Sequence, residues 1–384
     1  MNHTHVAVFN AIDRPSLWKE LLRGKRVGLV TNPSGVDRSL RLTSDILHEN
    51  GCLTCLFSPE HGVRGDRQAG AKVDFYTDAQ TGLPVYSLYS QGHHIPKDIS
   101  DTLDAVAFDI QDVGARYYTY IYTLSYVMED CAAAGKGVIV FDRLNPLGGT
   151  TIEGTVLERA YSSFVGRYPI ASRHALTVGE FARYINAVER IGCRLTVIPV
   201  DGWQRNHLFS MTDLSWIAPS PNLPTFDSAL CYIGTCLFEG TNLSEGRGTT
   251  RPFETIGAPW LRAEELAQAM RALFLPGVKI RPCYFTPTFS KYAGELCGGV
   301  QLHVTDPHTF RPFETGLRLL TAIMKTHEEF SFSPPSPTGV ASIDRLLGCR
   351  DLRDADFSVD AFLAKQQDRL SHFRKAVAPY LLYD

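Results

Sequence analysis

The sequence predicts an α/β fold: a Rossmann-like, doubly wound parallel sheet followed by a smaller α+β unit. Three observations carry this reading. Apolar runs alternate with helical patterns through the first 200 positions. Those runs are continuous rather than alternating, as in strands buried on both faces. Several of them end in clusters of polar residues, and in an open parallel sheet ligands bind beyond the carboxyl ends of the strands.

The elements follow in order. Arg26 to Thr31 reads as a strand ending in a turn at Asn32-Pro33-Ser34-Gly35. Leu40 to Asn50 reads as a helix with Leu42, Ile46 and Leu47 on one face, closed by Gly51. A strand at Leu53–Phe57, a helix at Ile99–Leu103 and a strand at Ala105–Ile110 come next. A long helix from about Tyr117 to Ala134 stops at Gly135 and is followed by a strand at Val138–Phe141. Thr177 to Ile191 forms a helix with Thr177 as N-cap and Glu180 in the capping-box position. Leu195–Val200 closes the unit as a strand. Residues 202–260 are rich in Pro, Gly, Asn and Trp and read as structured loops, of a length that is usually functional. Beyond these come a helix at Ala263–Leu273, strands near Val278–Phe285 and Gly299–Val304, and helices near Phe313–Thr326, Val359–Lys365 and Asp368–Ala376. The division expected is a Rossmann-like catalytic domain over 1–255 and an α+β auxiliary domain over 256–384 that completes the cleft.

Composition narrows the function. The 384 residues carry 38 Lys and Arg against 41 Asp and Glu, a net charge of −3, so no basic footprint for nucleic acid is present. No apolar stretch approaches the roughly 20 residues of a membrane span. Nine cysteines, an odd count at scattered spacing, argue against a disulfide framework and for buried thiols in a reducing, cytoplasmic setting. A signal peptide trimmed from the chain would instead place it in the periplasm or outside the cell. No metal-ligand pattern, Walker A loop, GxGxxG turn or GxSxG elbow is found, so no cofactor is expected. Oligomeric state has no signal in the sequence.

The polar clusters supply the candidate site. Glu60, in Ser58-Pro59-Glu60-His61-Gly62, follows a buried strand, where a carboxyl at an apolar rim has the raised pKa a general acid needs. His61 polarises it or holds substrate. Arg64 and Arg67, in the glycine-rich stretch after it, suit a carboxylate. Asp109 and Asp112 lie three apart across a strand end, one facing the crevice and the other capping the next helix. Arg116 and Tyr118 follow them. Asp142 and Arg143 form an internal ion pair or bind substrate. His174 donates to substrate or packs. Asn222 in the proline-rich loop, with Asn242, Glu245 and Arg247 in the polar stretch 239–254, completes the list. Trp203, Trp216 and Trp260 lie in or beside these loops and suit the apolar face of a sugar.

Together, Val-Thr-Asn-Pro-Ser-Gly at 30–35, Ser-Pro-Glu-His-Gly at 58–62, Phe-Asp-Ile-Gln-Asp-Val-Gly-Ala-Arg-Tyr-Tyr-Thr-Tyr at 108–120, Phe-Asp-Arg-Leu-Asn-Pro at 141–146 and Glu-Gly-Thr-Asn-Leu-Ser-Glu-Gly-Arg-Gly-Thr at 239–249 resemble one family. It is that of the bacterial exo-β-N-acetylmuramidases of the NamZ or YbbC type, formerly a domain of unknown function. The resemblance spans about residues 25–384. It implies a glycoside hydrolase of cell-wall turnover that releases N-acetylmuramic acid (MurNAc) from the non-reducing end of MurNAc–GlcNAc or larger peptidoglycan fragments. It implies a Rossmann-like domain with a smaller auxiliary domain, a site in the cleft between them, and Glu60 as the catalytic acid. Asp109, Asp112 or Glu245 then activates water, or orients the substrate's own acetamido oxygen. Arg64, Arg67, Arg116 or Arg247 meets the lactyl carboxylate of the muramic sugar. A non-catalytic muropeptide-binding protein is the main alternative, and a nucleotide enzyme the second.

Overall fold

The computed structural model describes residues 5–59, 62–65, 75–88, 92–336 and 339–384. Its elements are α1 (Pro15–Leu22), β1 (Val27–Thr31), α2 (Thr43–Glu49), β2 (Leu53–Ser58), β3 (Phe75–Thr77), β4 (Pro84–Ser87), α3 (Lys97–Thr102), β5 (Ala105–Asp109), α4 (Tyr120–Ala133), β6 (Gly137–Phe141), β7 (Glu153–Val156), β8 (Ala171–Arg173), α5 (Val178–Val188), β9 (Arg194–Ile198), α6 (Phe226–Thr235), β10 (Thr255–Ala258), α7 (Ala263–Arg271), β11 (Val278–Phe285), β12 (Cys297–Val304), α8 (Pro312–Thr326), α9 (Ser342–Leu347) and α10 (Val359–Val377).

Among the described residues the main sheet has the order β3-β4-β2-β1-β5-β6-β9, parallel except for edge strand β3. Counted along the chain, its six parallel strands read 3-2-1-4-5-6, the order of a Rossmann sheet, with the switch point between β1 and β5. Every residue of β1 and β5 is buried, which is why those runs are apolar throughout. Gly28 lets the sheet close there, since a Cβ at this position would stand 2.5 Å from the Phe57 ring.

Helices cover both faces. Trp18, Leu22 and Leu47 of α1 and α2 pack with Leu29, Leu56, Ala107 and Phe141 on one side. On the other, α4 and α5 join a core that runs without interruption into α6, α7 and α8 and the three-stranded antiparallel sheet β10-β12-β11. The capping box expected on α5 is formed: Glu180 N donates to Thr177 Oγ1 at 3.1 Å and Thr177 N to Glu180 Oε2 at 3.0 Å. All nine cysteines are free and buried. No helix among the described residues is long and apolar enough to cross a membrane.

Three element predictions are corrected. The long helix begins at Tyr120, not Tyr117, because Arg116 N donates to Ser172 O and Ala115 bridges Arg173, which keeps that backbone out of a helix. The stretch read as loops contains α6. Its residues 228–235 are all buried, so it shows no amphipathic period, and Gly234 meets Gly316 of α8 backbone to backbone. The two C-terminal helices are one: α10 runs unbroken, with Gln366 buried in its middle.

Candidate functional site

The switch point places the loops after β1, β5 and β6 side by side, and a buried polar lattice knits them. Asn32 Oδ1 accepts from Ser34 N (2.9 Å) and Ser34 Oγ (2.5 Å), and Ser34 Oγ accepts from Gln111 N (3.0 Å). Gln111 Nε2 donates to Asp112 O and Leu144 O, at 2.7 and 2.9 Å. These bonds satisfy backbone groups that leave the sheet in buried loops. Asn32 Nδ2 and the Tyr120 hydroxyl both reach Pro219 O, at 3.3 and 3.4 Å, so the 216–223 segment is pinned across the strand ends. The Asn-x-Ser spacing signals a local turn, but its long-range partners leave no mark in the sequence.

One strand over, β2 ends at Ser58 and Pro59, both buried, and Leu88, His93, Thr119, Tyr120 and Phe164 gather around Pro59 to form a small hollow. Glu60, His61 and Arg67 lie outside the described residues. From Tyr120 an aromatic series leads across the molecule: Tyr118 at 5.0 Å, Tyr232 at 6.3 Å from Tyr118, and Phe253 at 4.7 Å from Tyr232, with the Arg247 guanidinium 5.2 Å over Phe253. There Arg247 bonds Glu239 at 2.8 Å and meets Glu245 at 3.2 Å, while Lys291 holds Glu245 at 3.1 Å. Burial works against the charge of Arg247, but Glu239 and Glu245 outweigh it and raise its pKa; burial raises that of Glu239. Lys291 belongs to no motif, and nothing local in the sequence marks it.

The remaining candidates fall into two groups. Several are braces. Against the expectation that Asp109 faces substrate, Arg143 takes its two oxygens in a bidentate pair at 2.5 and 2.9 Å, and Thr43 bonds it as well. Asp142 and Arg143 do not form the expected ion pair through their side chains. Asp142 instead accepts from Gly179 N and Thr177 Oγ1, both at 2.8 Å, at the start of α5, and from the Tyr383 hydroxyl. Arg116 is fully buried and donates to Leu346 O (2.6 Å) and Thr155 O (2.8 Å), so it joins segments of the fold rather than meeting a ligand. Arg64 is clamped by Asp78 and Asp45, both at 2.6 Å. Asn242 ties its loop to the 329–331 backbone through both amide atoms. Neither Asp109 nor Asp112 caps α4, whose N-cap Thr119 makes no side-chain bond.

The others keep a chemical handle. Asp112 Oδ2 accepts from Gly114 N at 2.7 Å and lies 3.4 Å from His174 Nε2, while its Oδ1 is buried with no partner among the described residues. Leu176 N donates to His174 Nδ1, so the ring proton of the neutral imidazole sits on Nε2, toward Asp112. Asn222 is half-buried in the pinned 216–223 segment. Trp216 anchors that segment by donating to Leu223 O at 3.1 Å.

Burial raises the Asp142 carboxyl to about 7, against 3.8 for the free group. The folded protein therefore keeps a proton that the unfolded chain releases. This contribution to stability is complete below about pH 4 and declines as pH rises toward 7. Urea midpoints of wild type and Asp142→Asn across that range are expected to converge or cross as pH rises, the variant lacking the decline. Parallel curves would remove Asp142 as its source.

Comparison with known proteins covers nearly all of the chain. Family models of the N-terminal and C-terminal parts of the exo-β-N-acetylmuramidase NamZ match residues 27–227 and 230–383. The peptidoglycan β-N-acetylmuramidase NamZ of Bacillus subtilis (strain 168) is 46% identical over 372 residues, 95% of this chain and 89% of that protein. Two crystal structures of DUF1343 family proteins from Bacteroides fragilis superpose with TM-scores of 0.88 and 0.81. They are 34% and 29% identical and cover 99% and 98% of this chain, and 100% and 99% of their own. With a Rossmann-ordered sheet and both halves matched, the chain belongs to the exo-β-N-acetylmuramidase NamZ family.

Proposed function

We propose that this chain is an exo-β-N-acetylmuramidase, a glycosidase that releases MurNAc from the non-reducing end of peptidoglycan fragments. The observation that carries the reading is 46% identity to the peptidoglycan β-N-acetylmuramidase NamZ of Bacillus subtilis across 95% of the chain, with both exo-β-N-acetylmuramidase family models matched. In this reading Glu60 protonates the glycosidic oxygen, and the hollow beside Pro59 supports it, because Leu88, Tyr120 and Phe164 in its lining give the strand end a largely apolar rim. Asp112 is the second carboxyl. Its free Oδ1 supports this role, whereas both oxygens of Asp109 are engaged and Glu245 is held by two cations. β2 and β5 flank β1, so their ends stand two strand spacings apart, about 10 Å, enough for a sugar ring between them. Arg247 meets the lactyl carboxylate. It remains 30% exposed beside Phe253, and an arginine already framed by acids accepts a further carboxylate only in a fixed orientation.

The test is release from a chromogenic β-MurNAc glycoside beside the matching GlcNAc glycoside. A preference for the muramic substrate of about a hundredfold or more is expected, since a site built around the carboxylate leaves polar groups unpaired with the analogue. Arg247→Ala is expected to reduce that preference about tenfold, through KM. A folded protein that releases neither chromophore but binds MurNAc saturably would mark a binding protein instead.

A further inference from the structure

A second hollow lies away from the strand ends, between the 150–154 segment, the start of α8 and one face of α10. Leu363, Gln366, Gln367, Leu370 and Arg374 line it from α10 at helical spacing. At its floor is Gln366, only 1% exposed, and neither its amide oxygen nor its amide nitrogen has a hydrogen-bond partner among the described residues. A buried amide left unpaired is costly, and the great majority of buried polar groups have partners. Two arginines stand at the rim without a carboxylate bonded to them. Arg311 donates to the carbonyls of His308, Thr309 and Phe310, and Arg374 makes no hydrogen bond or ion pair among the described residues.

Of the two acids of the hollow, Glu314 is paired, and Glu153 is bonded through one oxygen while its Oε2 is buried with no hydrogen-bond partner among the described residues. Glu314 is held by Arg318 at 2.8 Å. Glu153 Oε1 accepts from Phe313 N and Glu314 N at the start of α8, at 2.8 and 3.3 Å, and Arg173 lies 3.8 Å from Oε2. Burial also raises the pKa of Glu153, which favours its neutral acid. Beside the unpaired Gln366 Oε1 and Glu153 Oε2, the hollow offers two guanidinium groups, the Gln366 N–H pair and the hydroxyls of Thr150 and Thr151 as donors.

We infer that this hollow is a binding site for a small oxyanion, a carboxylate or phosphate group bridged between Arg311 and Arg374 and hydrogen-bonded at its inner end by the Gln366 amide. Such a group is matched by guanidinium forks at the rim and by neutral donors at the floor. The site does not rest on the glycosidase reading, because it shares no residue with the crevice and its test needs no substrate.

The experiment is thermal melting of the full chain with inorganic phosphate or with glutarate, each matched in ionic strength with chloride. A saturable rise in melting temperature below about 10 mM is expected for at least one anion. A response to phosphate alone identifies a phosphate ester as the source of the group, and a response to glutarate alone a carboxylate. Arg374→Ala, at an exposed position, is expected to weaken the apparent affinity about tenfold. Gln366→Met is expected to melt no lower than wild type without the anion, since it removes an unpaired amide, and to lose about tenfold in affinity. No saturable response to either anion would overturn the proposal. So would a response that both variants leave unchanged, which would place the anion elsewhere. Should Gln366→Met fail to fold, Arg374→Ala decides alone.

Discussion

Glu60→Gln is expected to lower kcat/KM on the disaccharide MurNAc–GlcNAc by about 10²–10⁴ while leaving the folding midpoint unchanged. Cleaving a glycosidic bond between two sugars expels a poorly stabilised alkoxide unless a proton arrives with it, and glutamine has none to give. An aryl glycoside provides the internal control. Its phenolate leaves readily without protonation, so bond breaking in the variant is expected to suffer far less on the aryl substrate than on the disaccharide. A merely structural role for Glu60 would depress both equally. Near-normal disaccharide turnover in the folded variant would take the acid role away from it and leave His61 or Asp112 to be tested.

Asp109→Ala is expected to cost about 3–5 kcal/mol of stability, the usual consequence of leaving one partner of a buried pair uncompensated. Arg143 and Asp109 are 3% and 1% exposed at their side chains, and the guanidinium fork meets both carboxylate oxygens. Arg143 also donates to Val36 O at 2.8 Å, so the pair clamps the loop after β1 to the end of β5 and the start of the loop after β6. Removing both charges, as in Asp109→Leu with Arg143→Met, is expected to recover much of the loss, because replacing both partners avoids a lone buried charge. Urea denaturation of the two variants measures this directly. A stable Asp109→Ala protein that has lost turnover would instead return Asp109 to the reaction.

Much of the fold is legible in the chain itself. Thr177 and Glu180, three residues apart, announce a helix start, and that cap forms as read. The strands β1, β2, β5, β6 and β9 are found within two residues at either end, because continuous apolar runs between turn residues have few other solutions. Two of the three failures share one cause. Helix α6 is buried on every side from 228 to 235, and α10 carries polar residues where a break would fit, so burial by α8 and β7 rather than local pattern decides both. The same holds in the site. Asp109, Asp142, Arg116 and Arg64 have the right chemistry for a ligand, but each is engaged by partners between 14 and 230 residues away.

The order of strands and helices, the polar clusters at their ends and the family were determined by the sequence itself, since periodicity, caps and motifs are local properties of the chain. Which charged side chains are braces and which keep a free atom was decided only by tertiary structure. A carboxylate or guanidinium in low dielectric must be paired wherever the fold brings a partner, and spacing along the chain does not say who that partner is.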